Sequence, residues 1–299
     1  MKAREDLDID AVRAALSGRV IGGWLLHHDV LSSTMDEARL LASEGWSEGL
    51  VVVADQQTAG RGRFDRNWIS PPGENLSFSV LLRPTAAELS FVNMAATLAV
   101  SKTVAELTGR PTAIKWPNDV KIGGRKVSGI LIETDVGIGK LRYAILGIGI
   151  NVNLDPAAHP EIASIATSLS HELRRRVNRG EVLQSILERF DDMYGMVKRG
   201  RSLTDEWSEQ LETLGRSVSV RWGHRVIEGQ ASVVDQLGHL VADGRRTRRA
   251  PSLRQSSTIQ FHQRRRRRAE LSLPEKYYGA VAGTRMPPCL AAGRSRFFL

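Results

Sequence analysis

The sequence predicts an α+β fold whose core is a mixed, mostly antiparallel sheet with flanking helices. Apolar runs of strand length and amphipathic runs of helical period alternate along the chain, and several strands follow one another as hairpins rather than in strict βαβ order. With 299 residues, 41% of them hydrophobic, the chain can bury a sizeable core in one large domain or two. No run approaches the roughly 18 apolar residues of a membrane span, so no membrane association is expected.

The first hundred residues carry clear helix and strand signals. The pattern Thr34-x-x-Glu37 is a capping box that starts a helix with an apolar face, and Gly45 ends that helix. A second, longer helix stops before Gly109 and Pro111. We therefore predict helices at 8–16, 34–45 and 88–107, and strands at 21–30, 50–54 and 75–82.

The next hundred and thirty residues predict short strands and two more helices. A strand at 114–116 is closed by Pro117-Asn118-Asp119, and a hairpin turns at 122–125. Further strands are predicted at 127–134 and 141–151, and helices at 181–198 and 203–214. Two short strands, 217–222 and 226–234, are typical of a small β-barrel.

The positive charge of the chain is concentrated at its C-terminal end. Fourteen of the 42 Lys and Arg residues, but only two of the 33 Asp and Glu residues, lie from Gly244 to Leu299. The net charge of +9 therefore says little about the preceding residues. Arginine blocks with few apolar neighbours usually stay disordered, so we predict a disordered basic tail over 245–299.

Several common catalytic signatures do not occur in the sequence. No G-x-x-x-x-G-K-[ST] P-loop is present, and Gly147-Ile148-Gly149 lacks the third glycine and the following helix of a Rossmann site. The only cysteine, Cys289, excludes an intramolecular disulfide and a cysteine zinc cluster. No His, Asp and Glu residues have metal-ligand spacing, and the N-terminus lacks the apolar core of a signal peptide. These features favour a cytoplasmic enzyme.

The best candidate for a functional site is the basic loop at 57–68, which reads Gln-Thr-Ala-Gly-Arg-Gly-Arg-Phe-Asp-Arg-Asn-Trp. Its arginines, Arg61, Arg63 and Arg66, each offer a planar fork of donors for phosphate or carboxylate. Its glycines allow tight turns or close approach to a ligand. The loop can equally be a solvated turn, but its place between two predicted strands favours an anion-binding lid.

Two lysines at strand ends extend this set of cations. Lys115 precedes Trp116-Pro117-Asn118-Asp119, and Lys126 precedes Ser128-Gly129. Either lysine taken singly can be a surface residue with an apolar stem. Together with the loop arginines they indicate phosphoryl chemistry, in which positioning and neutralisation of growing negative charge dominate.

Together these stretches resemble the biotin protein ligase family, the biotin–[acetyl-CoA-carboxylase] ligases. Five segments occur in that family's order within about residues 20–240. They are Ser33-Thr34; 57–68 with Ser70-Pro71 and Asn75-Leu76; 115–119; Arg125-Lys126-x-x-Gly129-Ile130-Leu131-x-Glu133; and Gly149-Ile150-Asn151-x-Asn153.

The resemblance implies a reaction in two steps. The carboxylate of biotin attacks the α-phosphate of ATP, which gives biotinyl-5′-AMP and pyrophosphate. A lysine of a biotin carboxyl carrier protein domain then takes the biotinyl group and releases AMP. Mg²⁺ is expected to accompany ATP, held mostly through phosphates and water.

The resemblance also assigns roles to single residues. Lys126 is expected to be catalytic together with Arg61 and Arg63, and Asp119 is expected to orient Lys126 or to bind Mg²⁺. The expected biotin contacts are Ser33, Thr34, Gln57, Gly60, Arg61, Gly62, Arg63, Lys126 and Gly129. The expected ATP and adenylate contacts are Arg66, Trp68, Lys115, Asn118 and Asn151.

The family pattern further predicts the domains. Residues 1–214 are expected to form a class II synthetase-like catalytic domain, 215–244 a partial SH3-like barrel and 245–299 the basic tail. About thirty residues precede Ser33, which predicts a monofunctional ligase with no DNA-binding domain and no specific DNA partner. A homodimer is a further expectation.

Three alternatives remain open at this stage. One is a lipoate or octanoate ligase of the same fold, although the Gly-Arg-Gly-Arg loop with Trp68 favours biotin. Another is a relative with impaired catalysis, because arginine blocks stand where the barrel should continue after Gly244. The last is a nucleic-acid-binding protein, since the block Arg264–Arg268 can bind phosphate backbones without specificity.

Overall fold

The computed structural model describes residues 6–63, 66–138, 140–222, 225–249, 259–261 and 295–297. The chain divides into two compact units, one ending at Leu203 and the other beginning at Thr204. This division lies before the predicted domain boundary at 214. Within the described ranges, no helix combines the length and the apolar composition that crossing a membrane requires.

The first unit is built on a seven-stranded sheet in the order β1-β2-β3-β7-β6-β5-β4. Only β1 and β2 run parallel, and the other neighbours in this sheet are antiparallel. The prediction of a mixed, mainly antiparallel sheet is therefore confirmed. The strands are β1 Trp24–Leu31, β2 Leu50–Gln57, β3 Leu76–Leu82, β4 Thr112–Lys115, β5 Asp119–Ile122, β6 Arg125–Gly137 and β7 Lys140–Ile150.

The five predicted helices are present and differ from the prediction mainly at two ends, whereas the short helix α4 was not predicted. The helix predicted at 203–214 is short, because helical structure stops at Glu209. The predicted capping residue Thr34 is also wrong, since Ser33 is the N-cap and accepts a hydrogen bond from the backbone N–H of Met35. The helices are α1 Ile9–Ala15, α2 Thr34–Ser43, α3 Ala86–Thr108, α4 Leu169–Leu173, α5 Arg179–Lys198 and α6 Thr204–Glu209.

The central strands of the sheet are buried on both faces. All seven residues of β3 are buried, including the polar residues Ser77 and Ser79. The alternation of polar and apolar residues in this strand therefore does not mark an exposed face. Helix α2 packs Met35, Ala38 and Leu41 against buried residues of β2 and β7. Helix α3 packs against α5. The sheet is thus a rigid support from which strand ends can present a site.

A buried ion network joins the ends of three elements in the first unit. The guanidinium of Arg179, fully buried at the start of α5, donates to Asp6 at 2.7 Å and to Asp55 in β2 at 2.7 Å. His27 in β1 lies 3.6 Å from the other oxygen of Asp55. Burial alone would raise the pKa of Asp55, but its contact with His27 and its hydrogen bond from Arg179 outweigh that effect and hold the pKa below its usual value.

The second unit contains a five-stranded antiparallel sheet in the order β11-β8-β9-β10-β12. Its strands are β8 Ser217–Trp222, β9 Arg225–Val234, β10 Leu240–Arg249, β11 Ile259–Phe261 and β12 Ser295–Phe297. The first two were predicted. The sheet does not establish the SH3-like topology, which stays a prediction.

Strand β10 runs through the first arginine block, past the predicted start of the tail at 245. Its backbone pairs with β9 up to Arg249 opposite Arg225. The ladder is made by main-chain groups, which a basic segment carries as well as an apolar one. Apart from β11 and β12, the predicted tail from residue 250 onward lies outside the described residues, and so does its block Arg264–Arg268.

The network around Arg179 predicts a large loss of stability on truncation. Arg179→Ala leaves two carboxylates without their buried partner and should lower the free energy of unfolding by about 3–5 kcal/mol. Arg189→Ala on the same helix is the matched control, because its partner Glu106 is exposed and such pairs contribute about 1 kcal/mol or less. Urea denaturation of the three proteins measures both values.

The same comparison has a predicted pH dependence. Because the pKa of Asp55 is lowered in the folded chain, its stabilising effect is present above an unfolded pKa of about 4 and is lost as the pH falls through the folded pKa. The stability difference between the wild type and Arg179→Ala should therefore shrink in acid. A difference that is constant from pH 7 to acid would contradict this assignment.

Candidate functional site

The basic loop after β2 is held at both ends by main-chain hydrogen bonds. The N–H groups of Thr58 and Ala59 donate to the carbonyls of Leu31 and Ser32, each at 2.9 Å. Further on, the N–H of Trp68 donates to the carbonyl of Gly60 at 2.9 Å. A side chain at Gly60 would lie 2.7 Å from the carbonyl oxygen of Trp68, so glycine is required for this close approach. Phe64 and Asp65 lie outside the described residues.

Within the loop, the N–H of Gly62 donates to the carbonyl of Arg66 at 2.7 Å, and Arg61 forms a backbone bridge with Asn67. The side chain of Arg66 is exposed. The loop is therefore a small hairpin in which Arg61 forms the backbone bridge and Arg63 and Arg66 lie beyond that bridge.

The three predicted arginines do not converge on one point. The guanidinium of Arg61 faces Asp36 at 2.6 Å and Glu133 at 3.5 Å, two carboxylates that the sequence analysis had not connected with it. Arg63 instead donates to the side-chain oxygen of Asn118 at 3.1 Å. Only contact in space reveals Asp36 and Glu133 as partners, because both lie far from the loop in sequence.

Arg63 lies in a partly buried, charged environment. Burial lowers the pKa of its guanidinium, and the nearby charge of Asp119 opposes this shift. Asn118 is itself fixed, since its side-chain N–H₂ donates to the carbonyl of Ile130 and its backbone N–H donates to the carbonyl of Lys115 at 3.1 Å. The segment after β4 thus brings Asn118 and Asp119 close to Arg63 of the loop.

Lys126, near the start of β6, is the centre of the site. Its Nζ lies 2.7 Å from an oxygen of Asp119 and 5.7 Å from the ring centre of Trp68. Its backbone is held by the segment before α4, because its N–H donates to the carbonyl of Ile165 at 2.8 Å. Of the two predicted roles of Asp119, the orientation of Lys126 agrees with this ion pair.

The indole of Trp68 covers two glycines in neighbouring strands. A Cβ at Gly149 in β7 would lie 2.4 Å from the ring, and a Cβ at Gly129 in β6 would lie 2.8 Å from Nζ of Lys126 and 3.5 Å from the ring. These two glycines pair with each other across the sheet. The space beside them therefore holds Trp68 and Lys126, which larger residues would displace.

The indole Nε1–H of Trp68 is buried and has no hydrogen-bond partner among the described residues. A buried donor without an acceptor costs free energy, and an acceptor supplied at this place would remove that cost.

The predicted biotin contacts at the start of α2 form a second polar group. The backbone N–H and the hydroxyl of Thr34 both face the side-chain oxygen of Gln57, at 2.8 and 3.1 Å. The hydroxyl also lies 2.8 Å from that of Ser79, a residue of β3 that the sequence analysis missed. Ser33 is buried as the N-cap. These contacts arise because β2, β3 and α2 meet at this end of the sheet.

The remaining predicted adenylate contacts are distributed over neighbouring strand ends. Asn151 is buried after β7 and donates to the carbonyl of Thr167 at 3.0 Å. Lys115 ends β4, where the strand register places it opposite Asp119. Neither arrangement tests a contact with a nucleotide, so these roles stay predictions.

The structure corrects the expectation that no metal-ligand group exists. Among the described residues, His27, Asp29 and Asp55 have potential ligand atoms within 4.8 Å of one another. The sequence analysis missed this group because Asp55 comes from the parallel neighbour strand β2. Asp55 is already bonded to Arg179, which compensates its charge. Asp119, the residue predicted from the sequence to bind Mg²⁺, is paired with Lys126, and its role toward Mg²⁺ stays a prediction.

Comparison with known proteins relates the chain to one family. The model of the Biotin/lipoate A/B protein ligase family matches residues 28–151. Bifunctional ligase/repressor BirA of Bacillus subtilis (strain 168) is 43% identical over 186 residues, which cover 61% of this chain and 57% of that protein. Biotin--[acetyl-CoA-carboxylase] ligase of Mycobacterium tuberculosis is 33% identical over 199 residues, which cover 59% of this chain and 73% of that protein.

The fold leads to the same group of proteins. The biotin protein ligase from Aquifex aeolicus, solved in complex with biotin and ATP, has a TM-score of 0.66 and 27% identity, and the match covers 80% of this chain and 99% of that chain. The chain therefore has the fold of a biotin protein ligase. The chain belongs to the biotin protein ligase family. It spans 57% of the length of the Bacillus subtilis relative.

The contact between Gly149 and Trp68 predicts a spectroscopic change. In Gly149→Ala the added methyl group would lie 2.4 Å from the indole, so the ring must leave its position and become more exposed to water. The tryptophan emission should shift to longer wavelength. Gly195→Ala in α5 is the control, because its methyl would meet only the flexible end of Arg199. The shift should vanish in a Trp68→Phe background, and a shift that persists there would contradict the contact.

Proposed function

We propose that this chain is an ATP-dependent biotin protein ligase. It would form biotinyl-5′-AMP from biotin and ATP, and then transfer the biotinyl group to a lysine of a biotin carboxyl carrier protein domain. Family membership supports the reaction class, and the observation that carries the proposal is the ion pair of Lys126 with Asp119 under the ring of Trp68.

The reaction must bring two anions together, the carboxylate of biotin and the α-phosphate of ATP. Lys126 and Arg63 face one shared carboxylate, Asp119, so this place favours added negative charge. A substrate anion would compete with Asp119 for Nζ of Lys126. The ammonium group can then hold both reactants and stabilise charge that grows on the phosphoryl oxygens in the transition state.

The acyl-adenylate is a mixed anhydride that water hydrolyses, so it must be covered until a carrier lysine attacks its carbonyl carbon and AMP leaves. The loop at 57–68 is suited to this task, because Arg63 and Trp68 lie on it and close over the strands of the sheet. Arg66, Lys115, Asn118 and Asn151 are proposed to contact the nucleotide. Ser33, Thr34, Gln57, Gly60, Gly62 and Gly129 are proposed to shape the biotin end.

Mg²⁺ belongs to the proposal only as a companion of ATP, held mainly by phosphate oxygens and water. Asp119 is the nearest predicted ligand, but its bond to Lys126 makes it a better positioning residue than a metal ligand. The carrier domain is proposed to come from a biotin-dependent carboxylase. A homodimer and the absence of specific DNA binding remain predictions.

One experiment tests the proposed function as a whole. The full chain is incubated with ATP, Mg²⁺, labelled biotin and a purified biotin carboxyl carrier domain. We expect label on one lysine of the carrier, and none when that lysine is replaced by arginine. Labelling with lipoate instead of biotin would favour the lipoate ligase, and no labelling with either would favour the catalytically impaired relative.

Lys126→Ala should strongly reduce adenylate formation and leave the fold intact. Removal of one transition-state charge contact costs about 2.7–4 kcal/mol, so biotin-dependent pyrophosphate release should fall about a hundredfold or more. Lys140→Ala is the matched control, since this exposed lysine lies at the other end of the β6–β7 hairpin. Pyrophosphate release close to that of the wild type would remove Lys126 from the mechanism.

Arg63→Gly should separate formation of the intermediate from its retention. The variant should still make biotinyl-5′-AMP but release it faster, because the loop loses the contact between Arg63 and Asn118. The half-life of the enzyme-bound intermediate and the labelling of unrelated protein lysines measure this loss. Arg174→Gly serves as control, since Arg174 is exposed and has a left-handed backbone that glycine adopts freely. An unchanged half-life in Arg63→Gly would exclude a lid role.

A further inference from the structure

A network of four charged side chains connects the basic loop with its surroundings and has no part in the chemistry proposed above. Arg61 makes a two-pronged contact with Asp36, with nitrogen–oxygen distances of 2.6 and 2.9 Å. Asp36 also accepts from Arg39 at 2.7 Å, and Arg39 in turn donates to Glu133. Glu133 completes the ring at 3.5 Å from Arg61.

The network connects the loop with the two elements that frame the proposed biotin site. Asp36 lies in the first turn of α2, the helix that Ser33 caps and Thr34 begins. A carboxylate is favoured there by the free N–H groups and the helix dipole. Glu133 lies on β6, the strand that carries Lys126 and Gly129.

The geometry also restricts what Arg61 can do. Its guanidinium nitrogens point at two carboxylates, and the hydrogen bonds that Arg61 donates to Asp36 are the main reason that the pKa of Arg61 is raised. The pKa of Asp36 is lowered chiefly by the same bond. Single exposed ion pairs contribute little, but two-pronged arginine pairs within a network are the exception. A guanidinium held in this way links the loop to both α2 and β6.

We infer that Asp36 is a positioning residue that acts through Arg61. It anchors the first part of the basic loop, at Arg61, to α2. Arg61 is then a loop anchor. This inference rests on the proposed function for its catalytic consequence, but not for the anchor itself.

The anchor can be tested in the unliganded full chain by limited trypsin digestion. Cuts after Arg63 and Arg66 are followed by peptide mass. Asp36→Asn should increase the rate of these cuts about threefold to tenfold, the range expected for a coupled pair. Glu37→Gln, in the same helical turn, should leave the rate unchanged. The double variant Asp36→Asn/Arg61→Gln should be cut no faster than either single variant.

A second variant keeps the test decisive if Asp36→Asn damages α2. Arg61→Lys lies on the loop, keeps the charge and removes the planar fork, so it should also increase the cuts after Arg63 and Arg66. Equal cutting of the wild type and Arg61→Lys, or faster cutting of Glu37→Gln than of Asp36→Asn, would overturn the anchor.

The catalytic consequence has its own readout. In Asp36→Asn the rate of biotinyl-5′-AMP formation should stay within about twofold of the wild type, whereas release of the bound intermediate should become about threefold to tenfold faster. If formation falls together with retention, Arg61 contacts the reacting groups and the inference is wrong. If the wild type forms no adenylate, the proposed function fails, and the digestion alone still decides on the anchor.

Discussion

The site depends on how a lysine ammonium is held near the end of a strand inside the sheet. Lys126 meets Asp119 at 2.7 Å, which compensates its charge while leaving a bond that an incoming anion can replace. That arrangement requires β5 and β6 to be adjacent, Gly129 and Gly149 to leave room, and Trp68 to cover the pair. Each of these features is supplied by a different part of the chain. The residues that the site needs are therefore dispersed over several motifs.

The main elements of the fold could be predicted because their signals are local. The apolar spacing of α3 and α5, the turn between β5 and β6 and the buried run of β2 each lie within a short window. The ends of helices and strands could be predicted less well, because periodicity does not specify where a helix ends. The helix predicted to reach residue 214 ends at Glu209. The network of Arg179 with Asp6 and Asp55 was beyond prediction, since its members are separated by more than a hundred residues.

The candidate site was predictable in composition but not in pairing. The loop arginines and Lys126 were recognisable from residue type and motif order, but the sequence gives no distance between Arg61 and Asp36 or between Thr34 and Ser79. Those pairs depend on α2 and the loop meeting at one end of the sheet. Residues of identical type in one motif thus have different environments: Arg63 is beside Asp119, whereas Arg61 lies between two carboxylates.

The central claim is that this site joins a carboxylate to the α-phosphate of ATP and that the carboxylate is biotin's. Its most direct test is the biotin-dependent exchange of labelled pyrophosphate into ATP by the full chain, which isolates the first half of the reaction from any carrier. The account predicts exchange that saturates with biotin and is not supported by lipoate. Exchange with lipoate but not biotin, or no exchange with either acid, would contradict it.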